Sequence, residues 1–368
     1  MQTAEEIAPL RTEMRKLLDR ECSFERVRAL AASGERHDAG LWRLASELGW
    51  HALGIPELHD GLGMGFQALA AAYEELGRTL APLPFLPAQL CAEALLVAGS
   101  ETQRARYLPK IAAGTLCASL MSPDTLSNPQ QAPTLRIDGD VLRLDGAAHP
   151  LLCPLGADLL LAFAYDRQHG WAAVLIEPAG DGVEIQPQPT MDETRHLGSI
   201  RLSELLLPAE RRLPGDALAL CDALMRHAAL ALALDSIGGA DRILARTIDY
   251  LKVRKQFGRA VGSFQALKHR AANLKLALES SRCLVNDAVQ RHVSGHPDAA
   301  LWASLAKFQA ADAYAFIAGD CVQLHGGIGF TWDHECHLFL KRAKLNQMLF
   351  GSSAWHQDRA ASLLTRAA

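Results

Sequence analysis

Apolar side chains recur every three or four residues through the first 115 residues, the spacing that places them on one face of a helix. Pro82, Pro84 and Pro87 interrupt this pattern, because proline lacks a backbone N–H donor. The periodicity predicts helices at 5–18, 37–48, 67–80, 88–98 and 101–113. We therefore predict an N-terminal α-helical domain over residues 1–115.

The pattern changes to short alternating runs, richer in Gly and Pro, between residues 116 and 216. The stretch from Leu135 to Gly146 predicts a hairpin with its turn at Gly139-Asp140. Further strands are predicted at 158–165, 171–176, 183–188 and 199–207. We predict a central β-domain over residues 116–216 with an antiparallel, barrel-like sheet.

Helical periodicity returns at residue 217 and continues to residue 368. Ala217 to Phe257 predicts one long helix, with Gly258 as the glycine that ends it. Its centre, 228–234, is apolar on every side, which predicts burial all round. Further helices are predicted at 264–278, 298–324, 333–346 and 353–366. The fold class is therefore α+β: a helical domain, a β-domain, and a C-terminal four-helix bundle over residues 217–368.

Composition limits the function classes. The net charge of −4 has no long basic run within it, which argues against a nucleic-acid partner. No apolar stretch of about 18 residues is free of charge, so we predict no membrane span. The first 18 residues mix Glu, Arg and Lys without the apolar core of a signal peptide. We expect a cytoplasmic protein.

Cysteine usage predicts neither disulfides nor a metal site. None of the eight cysteines forms a Cys-x-x-Cys pair, so they are typical of small core residues in a reducing compartment. One local cluster, His334-Glu335-Cys336-His337, has residue types that bind metals. Because no second ligand pair with zinc spacing accompanies it, we interpret it as a solvated helix start.

A glycine-rich motif follows the helix predicted at 298–324. It reads Gln-Leu-His-Gly-Gly from Gln323 to Gly327. Gly326 and Gly327 allow the backbone to turn tightly and to approach a ligand closely. The Gln323 amide can donate and accept at the edge of a purine. Alone, the motif is typical of an ordinary helix C-cap and turn.

A second motif, Arg-Lys-Gln-Phe-Gly, stands at the end of the long helix, from Arg254 to Gly258. The Arg254 guanidinium offers a planar fork for paired phosphate oxygens. Taken alone, the segment equally indicates a basic helix terminus that complements the helix dipole.

Together, the two motifs and the three-part architecture resemble the acyl-CoA dehydrogenase family over nearly the whole chain. The resemblance implies FAD bound at a subunit interface, in tetramers that are dimers of dimers. It also implies which residues hold the pyrophosphate and adenosine of a neighbouring subunit's FAD: Arg254, Phe257, Gln323, Gly326 and Gly327. Gln256 and Gln265 are further candidates, with an ordinary helix-surface role as the alternative.

The expected catalytic base is missing. The family reaction is α,β-dehydrogenation of an acyl-CoA thioester, in which a carboxylate removes the α-proton and hydride leaves to the flavin. The resemblance implies a Glu where this chain has Phe350. Some members use a Glu on the long helix, at a position matched here by Ala228. The nearest carboxylates, Asp222 and Asp235, are roughly 9 to 10 Å away along a helix, too far to replace that base.

The loop expected beside the flavin ring also departs from the family pattern Thr-Glu-Pro-x-x-Gly-Ser-Asp. The matching stretch, Met121 to Asn128, keeps only the Pro and the Ser. An aromatic and a hydroxyl residue are expected near 150–152, where the chain has Pro150, Leu151 and Leu152. The residues that would serve a neighbour's FAD are thus kept, and those that would serve the chain's own flavin are replaced.

Three hypotheses follow from this division. The first is a subunit without its own base that pairs with a complete homologue, as the resemblance implies for heterotetramers of bacterial steroid side-chain degradation. The second is an active homotetramer, a dehydrogenase or an oxidase or monooxygenase relative, with His227 or an unaligned loop residue as base. The third is a non-catalytic protein that binds CoA esters. The resemblance implies an acyl-CoA thioester as ligand and an electron-transfer flavoprotein as electron acceptor.

Overall fold

A computed structural model describes residues 4–35, 37–123, 126 and 128–367. The chain forms two compact units. One comprises Met1–Ala29, Phe66–Ala81 and Ala229–Ala368, and the other comprises Leu30–Gly65 and Pro82–Ala228.

The N-terminal third is helical, as the periodicity predicted. Its α-helices are α1 (Ala4–Glu21), α2 (Phe24–Ser33), α3 (Ala39–Glu47), α4 (Gly65–Thr79), α5 (Phe85–Ala98) and α6 (Glu101–Ala112). Helix α6 begins with a capping box, in which the Ser100 and Gln103 side chains each accept from the other's backbone N–H. Helix α2 was not predicted, because its 10 residues give only about three turns of apolar periodicity.

The central segment forms one sheet. Its strands are β1 (Ala118–Met121), β2 (Thr134–Asp138), β3 (Val141–Leu152), β4 (Leu159–Asp166), β5 (Gly170–Ile176), β6 (Val183–Gln188) and β7 (Leu197–Pro208). The predicted hairpin is confirmed: Asp138 pairs with Val141 around the turn at Gly139 and Asp140.

The sheet is mixed, so the prediction of a wholly antiparallel sheet was wrong. Strands β1 and β2 both run parallel to β4 and antiparallel to β3. They lie end to end between these two strands, since β1 pairs with residues 159–161 of β4 and β2 with residues 165 and 166. Strand β1 has only four residues. It therefore covers only part of the edge of β4, and β2 pairs with a later part of the same edge.

The C-terminal segment is helical. Its α-helices are α7 (Ala217–Val253), α8 (Gln265–Val293), α9 (Ala299–His325), α10 (Cys336–Met348) and α11 (Ser353–Ala367). Residues 228–234 of α7 are all buried, as predicted. Helix α7 is long and apolar enough to cross a membrane, but 72% of its apolar window is buried within the protein, as in the core helix of a globular domain.

Helix α7 ends earlier than the sequence suggested. The predicted helix ran to Phe257 and ended at Gly258, whereas the structure ends α7 at Val253 and continues into a small hairpin. This hairpin consists of β8 (Lys255–Gln256) and β9 (Arg259–Ala260). Gly258 readily adopts the positive φ that a two-residue hairpin loop requires, but Phe257 adopts it as well, which is rare for a bulky residue and which the sequence therefore does not predict.

Candidate functional site

The Arg-Lys-Gln-Phe-Gly motif folds into the hairpin that follows α7. Phe257 and Gly258 form the turn, with φ of +53° and +76°. Two consecutive residues with positive φ are characteristic of a type I′ turn. The Arg254 N–H donates to the Tyr250 carbonyl at 2.9 Å, and the Val261 N–H donates to the Arg254 carbonyl at 2.8 Å. The hairpin is therefore tied to the end of α7 on both sides.

The hairpin presents its predicted ligand-binding side chains to the outside. Phe257 is 91% exposed, and Arg254 and Gln256 are also exposed. Gln265, which begins α8, is exposed as well. Phe264 supports the inner side, because its ring meets Phe257 edge-on at 6.2 Å and lies 4.0 Å from the Arg259 guanidinium. The segment is thus ordered by its own contacts while its outer face stays open.

The Gly-Gly loop follows the last turn of α9. Gly326 has φ +65° and ψ −144°, a conformation that is essentially restricted to glycine. Built Cβ atoms on Gly326 and Gly327 would meet no heavy atom within 4 Å, so the chain leaves open space beside both. Gln323, one turn earlier, is exposed.

Gly329 is a structural residue that the sequence analysis missed. A Cβ at this position would lie 2.6 Å from the Val322 carbonyl oxygen and 3.0 Å from the His325 Cβ. The loop therefore folds back on α9 only because residue 329 has no side chain. The signal was present in the sequence as a third glycine, but its partner atoms lie on the preceding helix.

The structure brings the two motifs together within the unit that contains Ala229–Ala368. The Tyr250 ring, near the end of α7, stacks on the His325 ring at the end of α9, with centroids 4.5 Å apart. Arg270, in the second turn of α8, forms an ion pair with Asp320 of α9, with Nε 3.1 Å from Oδ2. These contacts gather the end of α7, the start of α8 and the end of α9, and with them the predicted residues Arg254, Gln265 and Gln323.

Phe350, at the first expected base position, is fully buried and has φ +53°. Its carbonyl accepts a hydrogen bond from His356 Nε2 at 2.9 Å. The buried Lys307 ammonium donates to the carbonyls of Gln347 and Gly351, at 3.3 and 2.9 Å. Burial, followed by the charge of Lys307, lowers the pKa of His356 to about 3, so its ring is neutral at pH 7. The turn that carries Phe350 is therefore held by two buried polar side chains.

Ala228, at the second expected base position, is also fully buried. The neighbouring His227 is buried and its Nδ1 hydrogen-bonds to Glu93. Asp235, one of the two nearest carboxylates on α7, accepts from Arg342 Nη1 at 3.0 Å and from Asn346 Nδ2 at 2.7 Å. Asp235 therefore serves as the partner of two buried side chains.

The expected flavin-ring loop is described only in part, because Asp124, Thr125 and Ser127 lie outside the described residues. Leu151 and Leu152 end β3, where they pair with Met121 and Leu120 of β1 and are buried. The Ser122 N–H donates to the Pro150 carbonyl at 3.1 Å. These residues pack within the sheet.

The segment around residue 335 is not the solvated helix start that the sequence suggested. Glu335 and Cys336 are buried. Glu335 Oε1 accepts from the Arg246 Nε of α7 at 2.7 Å, and Cys336 Sγ lies 3.4 Å from His325 Nδ1. The prediction failed because the groups that cover this segment come from two other helices, far away in the sequence.

Comparisons with known proteins agree with this architecture. Residues 4–115 match the acyl-CoA dehydrogenase N-terminal domain and residues 218–364 match the acyl-CoA dehydrogenase C-terminal domain. The chain is 35% identical over 349 residues to acyl-CoA dehydrogenase IpdE2 of Mycolicibacterium smegmatis, covering 95% of each chain.

Two solved structures share the fold over its full length. The ChsE4-ChsE5 complex from Mycobacterium tuberculosis has a TM-score of 0.91 and 26% identity, covering 99% of this chain and 98% of that chain. A Tcur3481-Tcur3483 steroid ACAD variant has a TM-score of 0.89 and 28% identity, with the same two coverages. The chain belongs to the acyl-CoA dehydrogenase family. Members of this family are FAD-binding flavoproteins.

Proposed function

We propose that this chain is a subunit of a heteromeric acyl-CoA dehydrogenase that completes a partner subunit's FAD site and lacks a catalytic base of its own. One contrast carries the proposal. The motif residues Arg254, Phe257 and Gln323 are exposed, whereas the two expected base positions hold buried apolar side chains, Phe350 and Ala228.

The exposed residues fit the adenosine and pyrophosphate end of FAD. The Arg254 guanidinium is free to form paired hydrogen bonds with phosphate oxygens. The exposed Phe257 ring offers an apolar face to a flat ring system. The open space beside Gly326 and Gly327 allows the backbone to approach a ligand. Gln256 and Gln265 are exposed on the same segment and supply further amide donors.

The apolar side chains at positions 350 and 228 support a proton transfer by another chain. Bound FAD supplies the hydride acceptor for α,β-dehydrogenation of a CoA thioester. The α-proton has to be taken by a positioned group that can hold it, and neither Phe350 nor Ala228 can do so. In the proposed assembly, a complete homologue contributes the carboxylate, and this chain orients the nucleotide end of the cofactor.

Two structural relatives support a heteromeric assembly. One is the ChsE4-ChsE5 complex, and the other is the Tcur3481-Tcur3483 steroid ACAD. By analogy, we propose a complete homologue as the partner of this chain and an electron-transfer flavoprotein as the electron acceptor.

The test compares the purified chain alone with the chain co-expressed with a complete acyl-CoA dehydrogenase homologue. We expect the lone chain to be colourless and the complex to hold one FAD for each pair of chains. The complex, and not the lone chain, should oxidise an acyl-CoA. A lone chain that carries one FAD and turns over an acyl-CoA at rates normal for the family would refute the proposal.

A second candidate function is an active homo-oligomer that uses His227 as base. The hydrogen bond that the Glu93 carboxylate accepts from His227 Nδ1 favours it, because a carboxylate commonly orients a catalytic imidazole. In that case the lone chain would be yellow and active, and His227→Gln would abolish its activity. Under the first proposal His227→Gln leaves the FAD content of the complex unchanged.

A further inference from the structure

Three side chains with metal-ligating atoms meet at the two ends of the Gly-Gly loop. His325 is the last residue of α9, and His334 and Cys336 lie at the start of α10. One potential ligand atom from each lies within 4.8 Å of the other two. The rings of His325 and His334 have centroids 4.3 Å apart. The loop at residues 326–333 therefore starts and finishes beside one cluster, which we name the His-His-Cys cluster (His325, His334, Cys336).

We propose that the His-His-Cys cluster binds a transition-metal cation, with Zn²⁺ as the preferred ion. Two imidazole nitrogens and one thiolate form a donor set that suits zinc, whereas calcium and magnesium prefer oxygen ligands. The cluster offers three protein ligands, which leaves a fourth tetrahedral position for water.

The spacing of the cluster is close to that of a zinc site. Zinc–ligand bonds of about 2.0 to 2.3 Å place the ligand atoms of a tetrahedral site about 3.3 to 3.8 Å apart. The Cys336 thiol lies against the His325 ring, with Sγ 3.4 Å from Nδ1. Because Nδ1 also lies 2.9 Å from the Cys321 carbonyl, Nε2 is the nitrogen of His325 that would ligate the cation. Side-chain rotation has to bring the widest separation, up to 4.8 Å, inward by about 1 Å.

A cation would exchange for a proton at the cluster. Zinc is ligated by neutral imidazole and by thiolate, so the Cys336 thiol has to lose its proton when the cation binds. Binding should therefore release one proton for each cation.

The charged groups around the cluster balance each other. Arg246 faces the cluster from α7, but its guanidinium is paired with the Glu335 carboxylate at 2.7 Å.

His337 Nδ1 lies 2.7 Å from the His334 carbonyl, which helps to fix the backbone of one ligand. His325 Nδ1 lies 2.9 Å from the Cys321 carbonyl, the kind of partner that a ligating histidine typically has on its second ring nitrogen.

Metal binding would cross-link the two ends of the loop. His325 precedes the eight-residue segment 326–333 and His334 and Cys336 follow it, so a cation held by all three side chains would close that segment into a loop. An ion that binds the folded chain and not the unfolded chain shifts the unfolding equilibrium toward the folded state. Metal binding should therefore stabilise the folded chain. The proposal concerns side chains of this chain alone and does not depend on bound FAD.

The test uses the full-length chain, stripped of metal with a chelator and titrated with Zn²⁺ or Co²⁺. We expect one cation per chain by elemental analysis and a thiolate-to-cobalt absorption band with Co²⁺. We also expect a higher melting temperature with Zn²⁺ and no such rise with Mg²⁺.

Matched variants identify the ligands. Cys336→Ser and His334→Asn should weaken binding by at least about tenfold, the lower end of what outer-shell changes cost. Cys91→Ser removes another buried thiol, on α5, and should leave binding unchanged. His334 is only half-buried, so its variant keeps the test valid if Cys336→Ser fails to fold. Absence of a bound cation in the wild-type chain, or equal binding by His334→Asn, would overturn the proposal.

Discussion

The Tyr250 ring lies on the His325 ring at an interplanar angle of 27°, and the Tyr250 hydroxyl donates to the His325 carbonyl at 3.4 Å. Tyr250 stands four residues before Arg254, and His325 stands immediately before Gly326. This contact therefore links the two exposed motifs directly.

Tyr250→Ala should loosen both motifs at once. We expect a loss of about 2 kcal/mol in the free energy of unfolding, from lost apolar burial and ring stacking. Tyr250→Phe keeps the stack and loses only a long hydrogen bond, so its loss should be below about 1 kcal/mol. Denaturant unfolding measures both values. A larger effect of Tyr250→Phe than of Tyr250→Ala would contradict the importance of the ring contact.

Arg254→Ala should weaken FAD binding by the two-subunit complex without unfolding this chain. A charge-assisted hydrogen bond to a phosphate contributes about 1.5 to 3 kcal/mol, which corresponds to roughly 10- to 100-fold in the dissociation constant. Lys252→Ala is the matched control, because Lys252 is an exposed cation at the same helix end and pairs with Asp249. Flavin fluorescence during dilution of the complex measures retention.

The control separates two ways in which the expectation for Arg254 can fail. Equal flavin loss in Lys252→Ala would indicate a general charge effect. Unchanged flavin content in Arg254→Ala would remove Arg254 from the proposed site and favour the third hypothesis, a protein that binds CoA esters without flavin.

Substitution by alanine should lower the stability of the chain at Gly329 and leave it nearly unchanged at Gly327. Gly329→Ala forces a Cβ to within 2.6 Å of the Val322 carbonyl, so we expect a stability loss of about 1 to 3 kcal/mol. Gly327→Ala meets open space and should leave stability within about 0.5 kcal/mol. If Gly327 faces a cofactor, the same variant weakens FAD retention by the complex. Melting curves and flavin content together distinguish the two roles.

Local patterns were read well from the sequence, and long-range pairings were not. Strand β6 was predicted at the residues where it lies, because alternation and flanking turns are local signals. Strands β1 and β2 both pair with β4, at different residues. This pairing depends on contacts between distant parts of the chain, and the local periodicity of the sequence does not predict it. His325 was recognised as part of a loop motif, but its neighbours His334 and Cys336 meet it only through the packing of α9 against α10.

Phe350→Glu should not create an active enzyme. The substitution removes a fully buried ring and places a carboxyl group there, so we expect a loss of about 3 to 5 kcal/mol or more. Phe350→Leu, the apolar control, should cost less than about 1.5 kcal/mol. Acyl-CoA oxidation is assayed with the lone Phe350→Glu chain and an artificial electron acceptor. Dehydrogenase activity above that of the wild-type chain would show that an intact substrate pocket surrounds position 350.

His356 should make stability fall in mild acid. Its pKa is about 3 in the folded chain against an ordinary 6.5. Below pH 6.5 the unfolded chain therefore binds a proton that the folded chain does not. The contribution is complete above pH 6.5 and is lost as the pH falls toward 3, by about 1.4 kcal/mol per pH unit.

His356→Gln should reduce this slope between pH 6.5 and 4.5, measured by urea unfolding at several pH values. His51 behaves in the same way, since burial lowers its pKa to about 4, so some slope persists in the variant. His269→Gln, at an exposed position, is the control and should leave the slope as it is. An unchanged slope in His356→Gln would place a proton on His356 in the folded chain near pH 6.

In the candidate site, as in the fold, features with a local sequence signal could be predicted and features set by long-range packing could not. The motifs that carry Arg254, Gln323 and Phe257 can be found in the sequence, because motif glycines and helix ends are local features; their role at an FAD site stays a prediction. The fixed turn around Phe350 was not foreseen, since Lys307 and His356 reach it from α9 and α11. A buried lysine that bonds to two backbone carbonyls leaves no recognisable spacing in the sequence.

The type I′ turn at Phe257 and Gly258 has a consequence for the kinetics of assembly. The hairpin takes its shape within the isolated chain, through β8–β9 pairing and the contacts of Phe264. In the proposed assembly, the backbone of the hairpin then has little conformational entropy to lose when another subunit docks on it, which favours a long-lived complex. If the proposal holds, changes that loosen this turn should appear first as faster dissociation of the two subunits, before any loss of fold.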